Sequence, residues 1–362
     1  MQRIIEIQDN YEIIRNLFEP TEKVFLVCDG SFSYLKIGKY FDTMPNLVKF
    51  SDFKPNPDYE SVKKAVALYR REGCNRIIAI GGGSAIDLAK CVKLYACMSD
   101  DKEYIDQEII PNDIPLVAVP TTAGTGSEAT RYAVIYYQGN KQSITHESCI
   151  PSVVIFDASA LETLPDYQRK CTMLDALCHA IESFWSVNST DKSKMYSKEA
   201  IKLILENMDG YLANDKTANR NMLKAANTAG KAINITQTTA GHAMCYKLTS
   251  MFGIAHGQAA AMCVRKLLPY MTTNADKCID TRGNDYLNHI FIEIADAMGC
   301  DSAESMCERF DSIYQSLALP KANYTEEDIN ALSHSVNPVR LKNHPILLDL
   351  NTIELLYRQI LV

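Results

Sequence analysis

The chain has 362 residues, 47% of them hydrophobic and 22% charged, with a net charge of −7 at pH 7. That length can bury a sizeable core and predicts two domains. Its Lys and Arg are scattered, which excludes the basic footprint of a nucleic-acid or acidic-membrane binder, and no apolar run reaches the roughly 18 residues that a membrane helix requires.

The N-terminal stretch MQRIIEIQDNYEII, with Glu6 and Asp9 in its opening turns, lacks the long apolar centre of a signal peptide. The twelve cysteines stand singly, in no CxxC pair and in apolar settings such as Cys28, Cys91 and Cys263. They read as reduced, buried thiols of a cytoplasmic protein.

Residues 24–28 (VFLVC) form a short apolar strand that ends at the turn Asp29-Gly30-Ser31. Residues 61–71 read as an amphipathic helix, and 76–80 (RIIAI) as a buried parallel strand. Next come Gly81, Gly82 and Gly83, whose missing side chains let the backbone bend tightly and approach a ligand. Ser84, with Asp87 three residues on, resembles a capping box, so the free N–H groups of the helix it opens suit a phosphate. Residues 115–119 (PLVAV) form another buried strand, running into the Gly- and hydroxyl-rich loop PTTAGTGSE at 120–128. Two such loops at the carboxyl ends of parallel strands predict a nucleotide in the crevice beyond them. Residues 131–137 and 141–145 predict a hairpin around Gly139-Asn140, and 152–156 (SVVIF) returns to the sheet.

After Asp157 the Val and Ile runs thin out, and 174–185, 197–213, 222–235, 287–298 and 303–317 have helical periodicity. The boundary falls near 158–165, giving domains 1–160 and 161–362. Within the helical half, Asp175 and His179 stand four residues apart on one helix face, about 6 Å apart at Cβ. His242 and His256 flank a further helical stretch that breaks at Gly253. One carboxylate and three imidazoles make a four-ligand site for a divalent metal, and a metal supplies the partner that an aspartate on an apolar face needs. Cys178 and Cys245 flank these ligands but lack the company that thiolate coordination usually has.

GGGSAIDLAK, PTTAGTGSE, DALCHAIE and GHAMCYKLTSMFGIAHG follow in one order over nearly the whole chain, with RLKNHP at 340–345 near its end. Together they resemble the iron-containing (group III) alcohol dehydrogenase family. The resemblance implies an α/β dinucleotide-binding domain with a parallel sheet, followed by an all-α domain, the dehydroquinate synthase-like architecture, with an active site in the cleft between them. It implies a homodimer or higher homo-oligomer, and metal ligation by Asp175, His179, His242 and His256, with Fe²⁺ first and Zn²⁺ next. Gly82, Gly83 and Ser84 match the pyrophosphate loop, and Thr121, Thr122 and Thr125 the second cofactor loop, with Gly81, Asp87 and Ser127 beside them as further cofactor-binding candidates. Asp29 stands where many members hold an acidic residue facing the adenosine ribose, which implies NAD(H) over NADP(H).

One departure from the family concerns the histidine that most members carry four residues after the third ligand. Here the position is Tyr246, followed by Lys247. Tyr246 or a metal-bound water then becomes the proton source. Lys247, with Arg131, Thr238 and Thr239, is expected to form a pocket for an anionic group. ITQTTAGHAMCYKLTS and RLKNHP look most like the branch that reduces phosphonoacetaldehyde to 2-hydroxyethylphosphonate. The expected activity is therefore metal-dependent, NAD(P)H-linked reduction of a small aldehyde to a primary alcohol. A general short-chain alcohol or diol dehydrogenase is the rival; a dehydroquinate synthase-like lyase and a non-catalytic NAD-binding protein stand further off. His146, His289, His334 and His344 are read as surface or structural residues, with His344 in a segment that could line the cleft.

Overall fold

The computed structural model describes residues 2–7 and 10–361, so the expected place of Asp9 lies outside the described residues. The chain divides into two compact units, Met1–Leu164 with Ala213–Asn227, and Pro165–Leu212 with Thr228–Val362. The return of 213–227 to the first unit has no counterpart in the sequence reading, which placed 161–362 together.

In the first unit, strands β1 (Arg3–Ile7), β2 (Val24–Cys28), β3 (Leu47–Phe50), β4 (Arg76–Gly81), β5 (Leu116–Pro120) and β8 (Val153–Asp157) form one sheet in the order β1-β8-β5-β4-β2-β3. All its pairings are parallel. The central strands are continuous Val, Ile and Leu runs because helices cover both faces of such a sheet; Val24, Leu26, Ile78, Ile80, Val117 and Val119 are wholly buried. Helices α1 (Glu12–Arg15), α2 (Lys36–Phe41), α3 (Tyr59–Arg71) and α4 (Gly83–Tyr95) complete the layers. The N-terminal segment, read only for its charges, is the edge strand β1, with Ile5 and Ile7 buried and Ile4 exposed. Strands β6 (Tyr132–Tyr137) and β7 (Asn140–Thr145) form the expected antiparallel hairpin. Its turn is Gln138-Gly139, one residue earlier than expected, and both residues have positive φ (49° and 77°), as a two-residue type I′ loop demands.

From β2 the chain runs to β3 on one side and then to β4 on the other. The strand order therefore reverses between β2 and β4, where parallel α/β sheets place their ligands. The register pairs Cys28 with Ile80 and Gly81 with Pro120, which sets Asp29, the triple glycine and the Thr-rich loop side by side at the carboxyl ends.

The second unit is helical: α5 (Asp166–Trp185), α6 (Asp191–Leu212), the later part of α7 (Lys216–Thr236), α8 (Ala240–Phe252), α9 (His256–Thr273), α10 (Asn284–Ala297), α11 (Ala303–Ser316), α12 (Glu326–Ser335), α13 (Pro338–Leu341) and α14 (Leu350–Leu361). Gly253, at φ 65°, ends α8 as expected, its N–H reaching the Thr249 carbonyl. No helix of the described residues is long and apolar enough to cross a membrane. Of the histidines set aside, His289 and His334 are exposed and His146 is half-buried. His344 is fully buried, its ring edge-on to Trp185 at 6.2 Å.

Candidate metal centre and dinucleotide loops

In the second unit, α5 carries Asp175, the first turn of α8 carries His242, and His256 is the first residue of α9. The backbones of these helices approach closely because glycine neighbours both histidines. A Cβ on Gly257 would lie 1.9 Å from the Cys171 carbonyl oxygen of α5, and one on Gly241 would lie 2.7 Å from Glu182 Oε1. The result is a donor set in which Asp175, His242 and His256 each offer an atom within 4.8 Å of the others. Asp175 Oδ1 lies 3.5 Å from His242 Nε2 and 3.9 Å from His256 Nε2. Ligands about 2.1 Å from a tetrahedral ion stand about 3.4 Å apart. Asp175 Oδ1 and His242 Nε2 are buried with no hydrogen-bond partner, and so await a cation. The residues fit a divalent ion.

His179, the fourth expected ligand, is buried beside this group, its ring flat against His242 at 4.4 Å between centroids and 15°, and its charge helps to hold the Asp175 carboxyl down. Cys245 Sγ lies 3.5 Å from Nδ1 of His256, at the other ring nitrogen from the one facing Asp175.

Glu182, which sequence reasoning missed, organises the site. It lies seven residues after Asp175 and three after His179, hence on the same helix face, and that spacing was the available signal. Wholly buried, it accepts the Nδ1 proton of His242 on Oε2, while Oε1 takes Thr239 Oγ1 and the Gly241 N–H, each at 2.7 Å. Trp185 Nε1 donates in turn to Thr239 Oγ1 at 2.8 Å. A carboxylate on Nδ1 fixes the tautomer that leaves Nε2 for a metal. Burial alone would raise the Glu182 carboxyl, but His242 and the Thr239 hydroxyl hold it below its ordinary range. Asp175 is likewise held down against burial by His179, His242 and His256. His242, despite burial, is pushed up to about 10 by Glu182 and Asp175. Two buried carboxylates thus keep positive charge where an ion would sit.

Around this centre, the Tyr246 ring stacks on His256, with centroids 5.5 Å apart at 16°. Lys247, one residue on and so about 100° around the helix, is exposed. Thr238 is half-buried, its carbonyl accepting from Asn343 at 3.3 Å. Thr239 is committed to Glu182 and Trp185, which removes it from the expected anion pocket. In the first unit, Arg131 pairs with Glu147 at 2.6 Å and donates to Tyr132 Oη.

In the first unit, the glycine loop and the Thr-rich loop pack directly together. A Cβ on Gly83 would lie 2.9 Å from Thr125 Cγ2, and one on Gly82 would lie 3.4 Å from Thr122 Oγ1. Thr121 is buried, its N–H bonded to the Gly81 carbonyl at 3.1 Å. The capping box expected of Ser84 and Asp87 does not form. Gly82 is the N-cap, without a side-chain cap, and Ser84 Oγ accepts from the Asn56 N–H at 3.0 Å. Asp87 faces Ser127 Oγ (2.5 Å) and the Val134 N–H (3.0 Å), so Asp87 and Ser127 brace each other inside the loop. Behind them the wholly buried Lys90 donates to the carbonyls of Ser127 (2.6 Å), Thr130 (2.8 Å) and Tyr132 (2.7 Å). The uncapped start of α4 keeps its first N–H groups available, as an anion requires. Asp29 Oδ1 accepts from Ser31 N (2.9 Å) and Oγ (2.5 Å), while Oδ2 faces Gly81.

Two family models match the chain: iron-containing alcohol dehydrogenase over residues 2–158, and the C-terminal region of the Fe-containing alcohol dehydrogenase family over 170–361. The probable alcohol dehydrogenase EutG of Escherichia coli is 36% identical over 221 residues, 59% of this chain and 56% of that protein. The phosphonoacetaldehyde reductase of Streptomyces viridochromogenes is 33% identical over 252 residues, 64% of this chain and 63% of that protein. The chain thus spans less than two thirds of either relative. Among solved structures, the sulfoacetaldehyde reductase of Bifidobacterium kashiwanohense in complex with NAD⁺ superposes with a TM-score of 0.88 at 25% identity, covering 99% of this chain and 96% of that one.

Proposed function

Because the chain belongs to the iron-containing alcohol dehydrogenase family, we propose that it reduces a small aldehyde to a primary alcohol with NADH and a divalent metal, and that its substrate is phosphonoacetaldehyde, giving 2-hydroxyethylphosphonate. The observation that carries the reading is the meeting of two buried donors without hydrogen-bond partners, Asp175 Oδ1 and His242 Nε2, with His256 Nε2 beside them. The similarity to a phosphonoacetaldehyde reductase and to a sulfoacetaldehyde reductase supports an aldehyde with an acidic head group.

When bound, the ion supplies Lewis acidity toward a carbonyl oxygen and the nicotinamide supplies the hydride. Asp175, His242 and His256 would hold the ion, with His179 against them. Carboxylate and imidazole donors suit Fe²⁺ and Zn²⁺ alike, and the family favours iron. Tyr246 is the proton donor in this reading. Burial raises its phenol, Cys245 adds to the rise and Arg340 opposes it, so it stays protonated at neutral pH. The start of α4, with Gly82, Gly83 and Thr125, would cradle the pyrophosphate. The twelve free cysteines agree with a reducing, cytoplasmic setting.

The test is NADH oxidation by Fe²⁺-loaded and Zn²⁺-loaded protein with phosphonoacetaldehyde and propanal in parallel. A strong kcat/KM preference for the phosphonate is expected. Equal or better turnover of propanal would replace the reading with a general alcohol or diol dehydrogenase. Asp29 bears on the cofactor, since its carboxylate at the end of β2 would repel a 2′-phosphate. Asp29→Gly is expected to gain NADPH-linked activity while losing some with NADH, measured as the ratio of the two kcat/KM values; an unmoved ratio would remove Asp29 from cofactor choice.

A further inference from the structure

In the second unit, Tyr246 has a second neighbour besides His256. The guanidinium carbon of Arg340 lies 4.6 Å from the Tyr246 ring centroid. Arg340 and His256 thus both pack on the Tyr246 ring, and the cation stands no farther from the metal-site imidazole than the two distances together. A guanidinium on an aromatic face keeps its N–H fork at the edges, free to grip an oxyanion in two places.

Arg340 is half-buried, yet among the described residues no carboxylate pairs with it. Three other arginines of the same unit pair with carboxylates, Arg265 with Asp311, Arg282 with Asp280 at 2.6 Å and Arg358 with Glu354 at 2.8 Å, while Arg169 and Arg309 donate to the backbone carbonyls of Tyr211 and Met298. A partly desolvated cation beside a donor cluster, without a carboxylate, lacks an anion. It is also held in place. The side chain of Asn337 caps α13 through the Val339 N–H at 2.9 Å. Beyond α13, the Asn343 carbonyl accepts from Val187 N at 3.0 Å, and the Asn343 side chain bonds Asn188 (2.9 Å) and Gln237 (2.8 Å). Farther on, the Pro345 carbonyl accepts from Ile279 N at 2.8 Å. The segment is thus tied to the end of α5, which carries Asp175, and to the loop that leads into α8.

We propose that Arg340, presented on the Tyr246 ring, is the receptor for a tetrahedral oxyanion on the far end of the aldehyde substrate, a phosphonate or a sulfonate. The proposal rests on the reading above that this centre reduces an aldehyde, and it moves the anion contact from Lys247 and Arg131 to Arg340. It accounts for an arginine without a carboxylate and for tyrosine at position 246, whose flat ring both the cation and the metal ligand pack on.

The experiment compares wild type, Arg340→Ala, Arg340→Lys and Lys342→Ala as metal-loaded enzyme with NADH. The substrates are phosphonoacetaldehyde, sulfoacetaldehyde and propanal, and binding of 2-hydroxyethylphosphonate is measured by calorimetry. Arg340→Ala is expected to lower kcat/KM for the anionic aldehydes by about 10- to 100-fold more than for propanal, chiefly through KM. Arg340→Lys should restore part of the loss, and Lys342→Ala, an exposed charge on the same segment, should cause none. Loss with only one of the two acids also supports the proposal and identifies the head group. Equal loss for propanal and the acids would overturn it. If wild type reduces no aldehyde, the functional reading fails by itself, and Arg340 is then judged by calorimetry: unchanged affinity for 2-hydroxyethylphosphonate in Arg340→Ala overturns the receptor.

Discussion

Glu182→Gln is expected to lower divalent-metal affinity by about 10- to 100-fold, and activity with it. The substitution keeps size and shape and removes one acceptor. In the native site Oε1 serves Thr239 and the Gly241 N–H, and Oε2 serves Nδ1 of His242. Glutamine has one carbonyl oxygen for all of these, and its amide would face either Nδ1–H or a backbone N–H, donor against donor. The imidazole can escape by moving its proton to Nε2, which is the atom needed for the metal. Calorimetric titration of the stripped protein with Zn²⁺ or Fe²⁺ measures the effect, and circular dichroism checks that the helices persist. Wild-type affinity in the variant would show that Glu182 supports the fold and not the tautomer.

Lys90→Met is expected to have the largest effect in the first unit, lowering its stability by about 3–5 kcal/mol. Methionine fills the same volume, but the carbonyls of Ser127, Thr130 and Tyr132 lose their shared donor inside a buried space. Asp87 loses the stronger of the two cations, Lys90 and Lys141, that offset its own burial. The Thr-rich loop, freed at its base, should also bind NADH more weakly. Urea unfolding gives the stability change and NADH fluorescence titration gives the affinity. A stability change within the roughly 0.5 kcal/mol typical of surface substitutions would mean that Lys90 is not the post on which the loop stands.

The sheet was legible because both of its faces are buried: continuous Val and Ile runs at β2, β4, β5 and β8 leave little else for those residues to be. Strand β1 was not, since an edge strand exposes Arg3, Ile4 and Glu6 and shows only weak alternation. The chemistry of Asp175, His242 and His256 could be read from residue type and spacing. The ring packing could not: the i, i+4 spacing that put His179 near Asp175 does not tell that its ring lies flat against His242. Ser84 and Asp87 matched a capping pattern locally, but a partner 40 residues away, Ser127, took Asp87. Arg340 was part of a noted motif, RLKNHP. Its meaning depends on the Tyr246 ring 94 positions earlier and on the lack, among the described residues, of a carboxylate paired with it; neither is written in the local pattern.

Asp175 Oδ1 and His242 Nε2 also matter to how much of this protein a cell can hold. Without an ion the folded chain keeps both atoms from water that the unfolded chain would supply, a local frustration of about 1–3 kcal/mol per group. An ion that binds only the folded form removes that conflict and draws the population toward the native state by mass action. Metal scarcity would thus act twice, silencing the site and enlarging the unfolded fraction that proteases remove. Protein abundance would follow metal supply even at constant synthesis.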